Sequence, residues 1–223
     1  MKRITVLLAE DHTMVREGIR KLLDGEADLV VVGEAQTGRQ TVEMARKLRP
    51  AVIVMDIAMP LLNGLEATRQ IRKAVPDTKV LILSAHGDDA YVEHAIESGV
   101  SGYMLKQSSA NTLCRAIREI QKGNTFFSPA IARRFLGQKP PGHAGLTRKK
   151  LVRLSPREME VLQLIAEGKA NKQTAAELGI GIKTVEKHRA HLMEKLNIHD
   201  TAGLTRYAIS AGIIESSVQL TIV

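Results

Sequence analysis

From residue 3 to residue 122, short apolar, β-branched runs alternate with longer stretches whose apolar residues recur every three or four positions. That alternation predicts five βα units around a parallel sheet. The predicted strands are Ile4 to Ala9, Leu29 to Gly33, Ala51 to Asp56, Val80 to Ser84 and Gly102 to Lys106. Between them fall helices near Met14 to Leu23, Gly38 to Lys47, Leu65 to Lys73, Asp88 to Ser98 and Ala110 to Lys122. The central strands are apolar throughout, as expected of strands covered by helices on both faces. Residues 124–150, with Pro140, Pro141, Gly142 and Gly145, read as a linker that frames one short helix, Ala130 to Leu136, between Pro129 and Gly137.

After the linker the period is helical only. Ser155-Pro156-Arg157-Glu158 has the form of a capping box with proline at the first helical position, starting a helix that ends near Gly168. Asn171 to Leu178 follows, with Gly179 as its left-handed stop. A third helix runs from Gly181 to Asn197 and a fourth from about Thr201 to Ala211. The expected division is 1–123, 124–150 and 151–223: an α/β domain of flavodoxin-like (βα)5 form with a five-stranded sheet, a linker, and an all-α four-helix domain.

Composition narrows the function. Hydrophobic content of 44% with 25% charged residues suits a globular chain, and no apolar run approaches the roughly 20 residues of a membrane span. One cysteine, Cys114, excludes an internal disulfide framework, so the expectation is a cytoplasmic protein without a membrane partner. The net charge of +8 is unevenly divided: residues 1–124 carry 17 Lys+Arg against 16 Asp+Glu, and residues 125–223 carry 15 against 8. A basic second half suggests a polyanion such as nucleic acid.

Ligands of open parallel sheets bind beyond the carboxyl ends of the strands. Those ends carry Glu10 and Asp11, then Asp56, Ser84 and Lys106. Carboxylates converging on one crevice need a divalent cation or a proton, and Mg²⁺ suits oxygen ligands. A lysine and a hydroxyl beside them suit phosphoryl transfer, with Asp56 as the nucleophile forming an aspartyl phosphate. Singly, each has a plainer reading: solvated acids or caps, a strand-end serine, a surface lysine. A cofactor-binding or hydrolytic enzyme is the rival reading, yet the chain has no G-x-G-x-x-G, P-loop or G-x-S-x-G. A third reading is a DNA binder whose first domain dimerises without phosphorylation.

With these residues in place, residues 3–122 closely resemble the receiver domain of two-component response regulators. The resemblance implies Asp56 as phosphoacceptor, Glu10 and Asp11 as the Mg²⁺-binding acids, and a metal ligand from the Ala58 backbone carbonyl. It implies Ser84 as switch hydroxyl, Lys106 as phosphate-binding lysine and Tyr103 as switch aromatic, with a sensor histidine kinase as phosphodonor. His86 and Ala58 fall where the family tunes the lifetime of the phosphorylated form. Gln107 departs from the family, which has proline joined by a cis bond; a cis bond to a non-proline residue costs ~3 kcal/mol, so the departure bears on the geometry of the Lys106–Gln107 bond, which the sequence leaves open, and not on the role of the lysine.

In the third C-terminal helix, Val185, His188, Leu192 and Leu196 form an apolar stripe, and Lys183, Glu186, Lys187, Ala190 and His191 lie opposite. His188 reads as a core histidine. Lysine can read guanine or phosphate, glutamate cytosine, and alanine a thymine methyl; an ordinary solvated face is the plainer alternative. Leu154-Ser155-Pro156-Arg157-Glu158, Val161-Leu162, Ile165-Ala166, Gly168, Asn171-Lys172, Thr184-Val185, His188 and Lys195-Leu196 are similar to the helix-turn-helix domain of LuxR/NarL-type regulators. That resemblance implies Ile182 to Leu196 as recognition helix, Glu186, Lys187 and Ala190 as base readers, and Lys183, Thr184, Arg189 and Lys195 on phosphate. Leu204, Tyr207, Ala208 and Ala211 match the family's dimer helix, where core packing is the plainer role. The chain is thus expected to be a non-enzymatic, phosphorylation-switched regulator that binds paired half-sites of double-stranded DNA as a homodimer.

Overall fold

The computed structural model describes residues 3–85, 87, 89–129, 131–132 and 154–214. Its sheet is parallel throughout and comprises β1 (Ile4–Ala9), β2 (Leu29–Ala35), β3 (Val52–Met55), β4 (Lys79–Ser84), β5 (Gly102–Leu105) and β6 (Phe126–Phe127), in spatial order β2-β1-β3-β4-β5-β6. The five expected strands are joined by a sixth. After α5 the chain reverses at Gly123, and two β-favouring phenylalanines bond along the open edge of β5, Phe126 N–H to the Ser101 carbonyl and Ser128 N–H to that of Tyr103. Arg115 lies over the Phe126 ring, 5.7 Å from its centre.

Five helices cover the sheet: α1 (Thr13–Asp24), α2 (Gly38–Leu48), α3 (Gly64–Ala74), α4 (Asp89–Ser98) and α5 (Ala110–Gln121). Alternation along the strands divides the core in two. Leu7, Ile53, Met55, Ile82 and Tyr103 face α2, α3 and α4, whereas Leu8, Val52, Val54, Leu81 and Met104 face α1 and α5. Thr37 caps α2 and Asn63 caps α3, each side-chain oxygen accepting from an N–H of the first turn.

The helical unit contains α6 (Pro156–Ala166), α7 (Asn171–Leu178), α8 (Ile182–Leu196) and α9 (Thr201–Ser210). Ser155 and Glu158 form the expected capping box, Gly179 is left-handed, and Asp200 caps α9. Val161, Leu162, Leu164, Val185, Leu192, Leu204 and Ala208 build a separate core. Of the short helix expected at 130–136, most lies outside the described residues, as do His86 and Asp88.

Candidate functional site

Register brings the strand ends together. Ala9 pairs with Met55, Met55 with Ile82, and Ser84 with Leu105, so Glu10, Asp56, Ser84 and Lys106 emerge side by side. The turn after Asp56 needs glycine at position 64, because a Cβ there would lie 2.0 Å from the Asp56 carbonyl oxygen. Gly64 N–H closes the turn by donating to the Ile57 carbonyl at 2.8 Å.

Glu10 and Asp56 are buried, and Lys106 bridges them, with Nζ 2.9 Å from Glu10 Oε2 and 3.0 Å from Asp56 Oδ2. The other Asp56 oxygen accepts from Ile57 N–H at 2.8 Å. Burial pushes the Glu10 carboxyl up and the Asp56 charge adds to this, against the opposing pull of Lys106 and the His12 N–H. For Lys106, burial pulls the ammonium down, but the Asp56 and Glu10 carboxylates outweigh it and leave it above its ordinary range. Ser84 is buried at the end of β4, Tyr103 is fully buried in β5, and Ala58 is half-buried two residues past Asp56.

Two contributors were not foreseen. Arg16 of α1 is buried and donates to the Glu10 carbonyl at 2.8 Å while pairing with Glu34 at 3.1 Å, which fixes the backbone of the acid pair. His12 Nδ1 lies 3.0 Å from both Glu10 Oε1 and Asp11 Oδ1, and its imidazole is raised first by the hydrogen bond to Glu10 and then by the Asp11 charge. An arginine one turn into the helix after an acid pair was the available signal for the first; the second depends on rotamer and leaves none in the sequence.

The fit to a small divalent cation rests on the donors. Glu10, Asp11, His12 and Asp56 each present a donor atom, all within 4.8 Å of one another. Asp11 Oδ1 is buried without a hydrogen bond, the nearby His12 ring interacting through charge rather than directed geometry. An oxygen-rich cluster with an orphaned carboxylate oxygen suits Mg²⁺.

In the helical unit, Lys183, Thr184, Glu186, Lys187, Ala190 and His191 are exposed along α8, with Val185 and Leu192 buried and His188 half-buried. Two expected phosphate-binding residues have partners within the unit. Arg189 donates to Asn171 Oδ1 at 3.3 Å and Thr201 Oγ1 at 2.7 Å, and Lys195 pairs with Glu158 at 2.7 Å. The expected dimer set divides: Leu204 and Ala208 are fully buried in the unit's own core, where the apolar stripe of α9 packs on α6, the plainer of their two readings. Tyr207 and Ala211 lie partly buried beside the first domain.

Burial alone would raise the Glu158 carboxyl, but hydrogen bonds from Lys195 and from Ser155 bring it below its ordinary 4.5. The unfolded chain therefore binds more protons, and the pair's stabilisation is present above pH 4.5 and lost as pH falls through the lower folded value. Lys195→Met is expected to lower stability at pH 7 by less than about 1 kcal/mol, since the lysine is partly exposed, and to flatten the decline below pH 4.5. Urea midpoints of both proteins across pH 3–7 measure this; identical profiles would reject the pair's contribution.

An acid pocket with a single lysine on a parallel sheet, joined to a helix-turn-helix bundle, defines a two-domain signalling regulator. Residues 6–118 match the response regulator receiver domain, and residues 152–208 match the bacterial regulatory proteins of the luxR family. The chain is 40% identical over 205 residues to the transcriptional regulatory protein LiaR of Bacillus subtilis, covering 92% of this chain and 96% of LiaR. It is 34% identical to the transcriptional regulatory protein DegU of Brevibacillus brevis over 226 residues, 96% of each chain. Among solved structures, a LuxR-family response regulator from Aurantimonas sp. SI85-9A1 superposes with a TM-score of 0.59 at 34% identity over 61% of this chain and 97% of that one. An RcsB–DNA complex superposes with a TM-score of 0.58 at 28% identity over 94% and 99%. The chain belongs to the LuxR-type two-component response regulators, a family of DNA-binding transcription regulators rather than enzymes.

Among the described residues no helix is long and apolar enough to cross a membrane, and no peptide bond is cis, so Lys106 and Gln107 are joined in trans.

Proposed function

We propose that Asp56 accepts a phosphoryl group from a sensor histidine kinase or a small acyl phosphate, and that this controls dimerisation and DNA binding by the helix-turn-helix. The carrying observation is the convergence of Glu10, Asp11, Asp56 and Lys106 at the strand ends. An Asp56 carboxylate oxygen attacks phosphorus, the bond from phosphorus to the donor's nitrogen or oxygen breaks, and an acyl phosphate remains. Glu10, Asp11, Asp56 and the Ala58 carbonyl would hold Mg²⁺, which supplies neutralisation of phosphoryl charge. Lys106 leaves its carboxylate partners for a phosphoryl oxygen, Ser84 offers a hydroxyl to another, and Tyr103 reports the change to the surrounding face.

The receiver then extends past the expected boundary at 123 to include β6 and Ile131, with the linker following it and 151–223 acting as DNA-binding domain. On α8, Glu186, Lys187 and Ala190 read bases, and Lys183 and Thr184 engage phosphate. Arg189 and Lys195 join them by exchanging their internal partners for phosphate. That the similar chain RcsB is solved in complex with DNA supports DNA binding, and that binding falls on paired half-sites of a two-fold dimer to which Tyr207 and Ala211 contribute from α9. The protein works in the cytoplasm, where kinase and DNA are both accessible.

Intact mass after incubation with acetyl phosphate and Mg²⁺ tests the reading. The wild type gains one phosphoryl group and Asp56→Asn gains none. No gain by the wild type would reject the phosphoacceptor and favour a regulator that dimerises without phosphorylation.

A further inference from the structure

The large apolar residues of α8 divide by what they touch. Val185 and Leu192 are buried in the core of the helical unit, and Met193 and Leu196 pack against it while partly buried. Ile182, at the first helical position, does neither. It is 43% exposed, takes no part in that cluster, and is the one large hydrophobic residue of the described helical unit left open to this degree. A β-branched side chain on an exposed helical face loses rotamer freedom and gains no burial, so the folding of the domain does not account for it.

Its place on the helix singles it out. Residues four apart share a face, so Ile182, Glu186 and Ala190 form one row, with Lys183, Lys187 and His191 beside it, and all six are exposed. Ile182 opens that row at the N-terminal end, and the N-terminal residues of a recognition helix are the ones that reach base edges in the major groove. Gly181, which precedes it, carries no side chain, and among the described residues a Cβ there would meet only Thr184 Oγ1, at 3.8 Å, so the approach beside Ile182 is open. Lysine and glutamate can exchange hydrogen bonds with base edges, whereas isoleucine offers only apolar surface. The apolar feature that the major groove presents is the C5 methyl of thymine. Against a phosphate or a polar base edge the same side chain would strip water and return no hydrogen bond.

We infer that Ile182 is a specificity-determining residue that packs on a thymine methyl in each half-site, so that this chain selects thymine at a position that Glu186, Lys187 and Ala190 do not read. Four residues of helix rise about 6 Å and base pairs stack about 3.4 Å apart, so in a helix lying along the groove Ile182 meets a different base pair from Glu186. The inference rests on α8 as the recognition helix of the function proposed above, and adds to it which base is chosen and by what contact. Covering one methyl group against an aliphatic side chain is worth about fourfold in affinity per half-site.

The test uses the full chain with acetyl phosphate and Mg²⁺ present. Duplexes bound by the wild type are selected from a random pool, and one of them is remade with deoxyuridine, which lacks only the methyl group, replacing thymine at one position of each half-site at a time. The wild type is expected to lose about fourfold per half-site at one such position. Ile182→Ala should bind the parent duplex about fourfold more weakly per half-site and be indifferent to deoxyuridine at that same position, while Ile182→Val keeps most of the dependence. Its thermal midpoint should match the wild type, since substitutions at exposed positions are nearly neutral, so weaker binding would not reflect unfolding. Lys187→Ala should weaken binding yet retain the deoxyuridine penalty. A penalty equally large in Ile182→Ala at every thymine would overturn the contact, and so would weaker binding of Ile182→Ala with no thymine at which the methyl matters, which would put the side chain on the sugar–phosphate backbone. If Lys187→Ala binds and selects as the wild type does, α8 is not in the groove, and the proposed docking falls together with the inference; if only the Ile182 results fail, the docking stands.

Discussion

Lys106→Met is expected to destabilise the unphosphorylated protein by about 2 kcal/mol at neutral pH, below the roughly 3–5 kcal/mol for removing one partner of a fully buried ion pair because Lys106 is partly exposed. Without the ammonium, Glu10 and Asp56 face one another in a site largely closed to water. Glu10 is already raised by burial and by Asp56, so the variant drives it higher still. A carboxyl whose folded value lies above its unfolded value destabilises above that value and ceases to do so as protons bind. The deficit should shrink between pH 7 and pH 5, and millimolar Mg²⁺ should restore much of it by binding only the folded form. Asp56→Asn should act oppositely and relieve the repulsion. Urea midpoints at both pH values, with and without Mg²⁺, decide this; a midpoint for Lys106→Met equal to the wild type under all four conditions would mean the lysine does not neutralise the pocket.

Gly64→Ala is expected to cost about 3 kcal/mol and to abolish most phosphoryl uptake, because the added carbon meets backbone rather than a yielding side chain. The nearest atoms are the Asp56 carbonyl oxygen at 2.0 Å, the Asp56 carbonyl carbon at 3.0 Å and Met55 Cγ at 3.1 Å. Relief requires moving the residue that carries the reactive carboxylate or opening the Gly64–Ile57 hydrogen bond. Gly18→Ala on α1 is the control: no atom lies within 4 Å of its added Cβ, and the change should stabilise by about 0.5 kcal/mol through helix propensity. Paired thermal unfolding and acetyl phosphate labelling check both. Similar unfolding temperatures for the two variants would show that the turn yields easily, and that its close approach does not hold Asp56.

The parallel sheet was legible because the strands are covered on both faces, which leaves short apolar runs at regular spacing. The pocket was legible because an open sheet confines chemistry to strand ends, so inspecting five positions was enough. β6 was missed: Phe126–Phe127 is two residues long, sits among turn formers and becomes a strand only because the edge of β5 is open. Leu204 and Ala208 kept two readings, dimer contact and core packing, because helical spacing identifies an apolar stripe without saying whether its own domain or another chain covers it. Gln163 and Glu160 are polar positions of α6 that carry no signal of their own in the sequence, and both are buried against the receiver, Gln163 on the Asn63 N–H and Glu160 on Gln70. Their meaning lies in contacts a hundred or ninety residues away in sequence, which no local period encodes.

The covalent connection between the domains sets how strong their seam has to be. Twenty-one residues separate Ala132 from Leu154, which limits the two ends to about 75 Å even at full extension. One domain confined to that radius around the other experiences an effective concentration on the order of 1 mM or more. A seam with millimolar intrinsic affinity would therefore already be half closed within one chain, although the same two domains supplied as separate proteins at micromolar concentration would scarcely meet. The contacts between the domains in this structure, among them Gln163 with Asn63 and Met59 and Gln70 with Glu160, are few enough to belong to that regime.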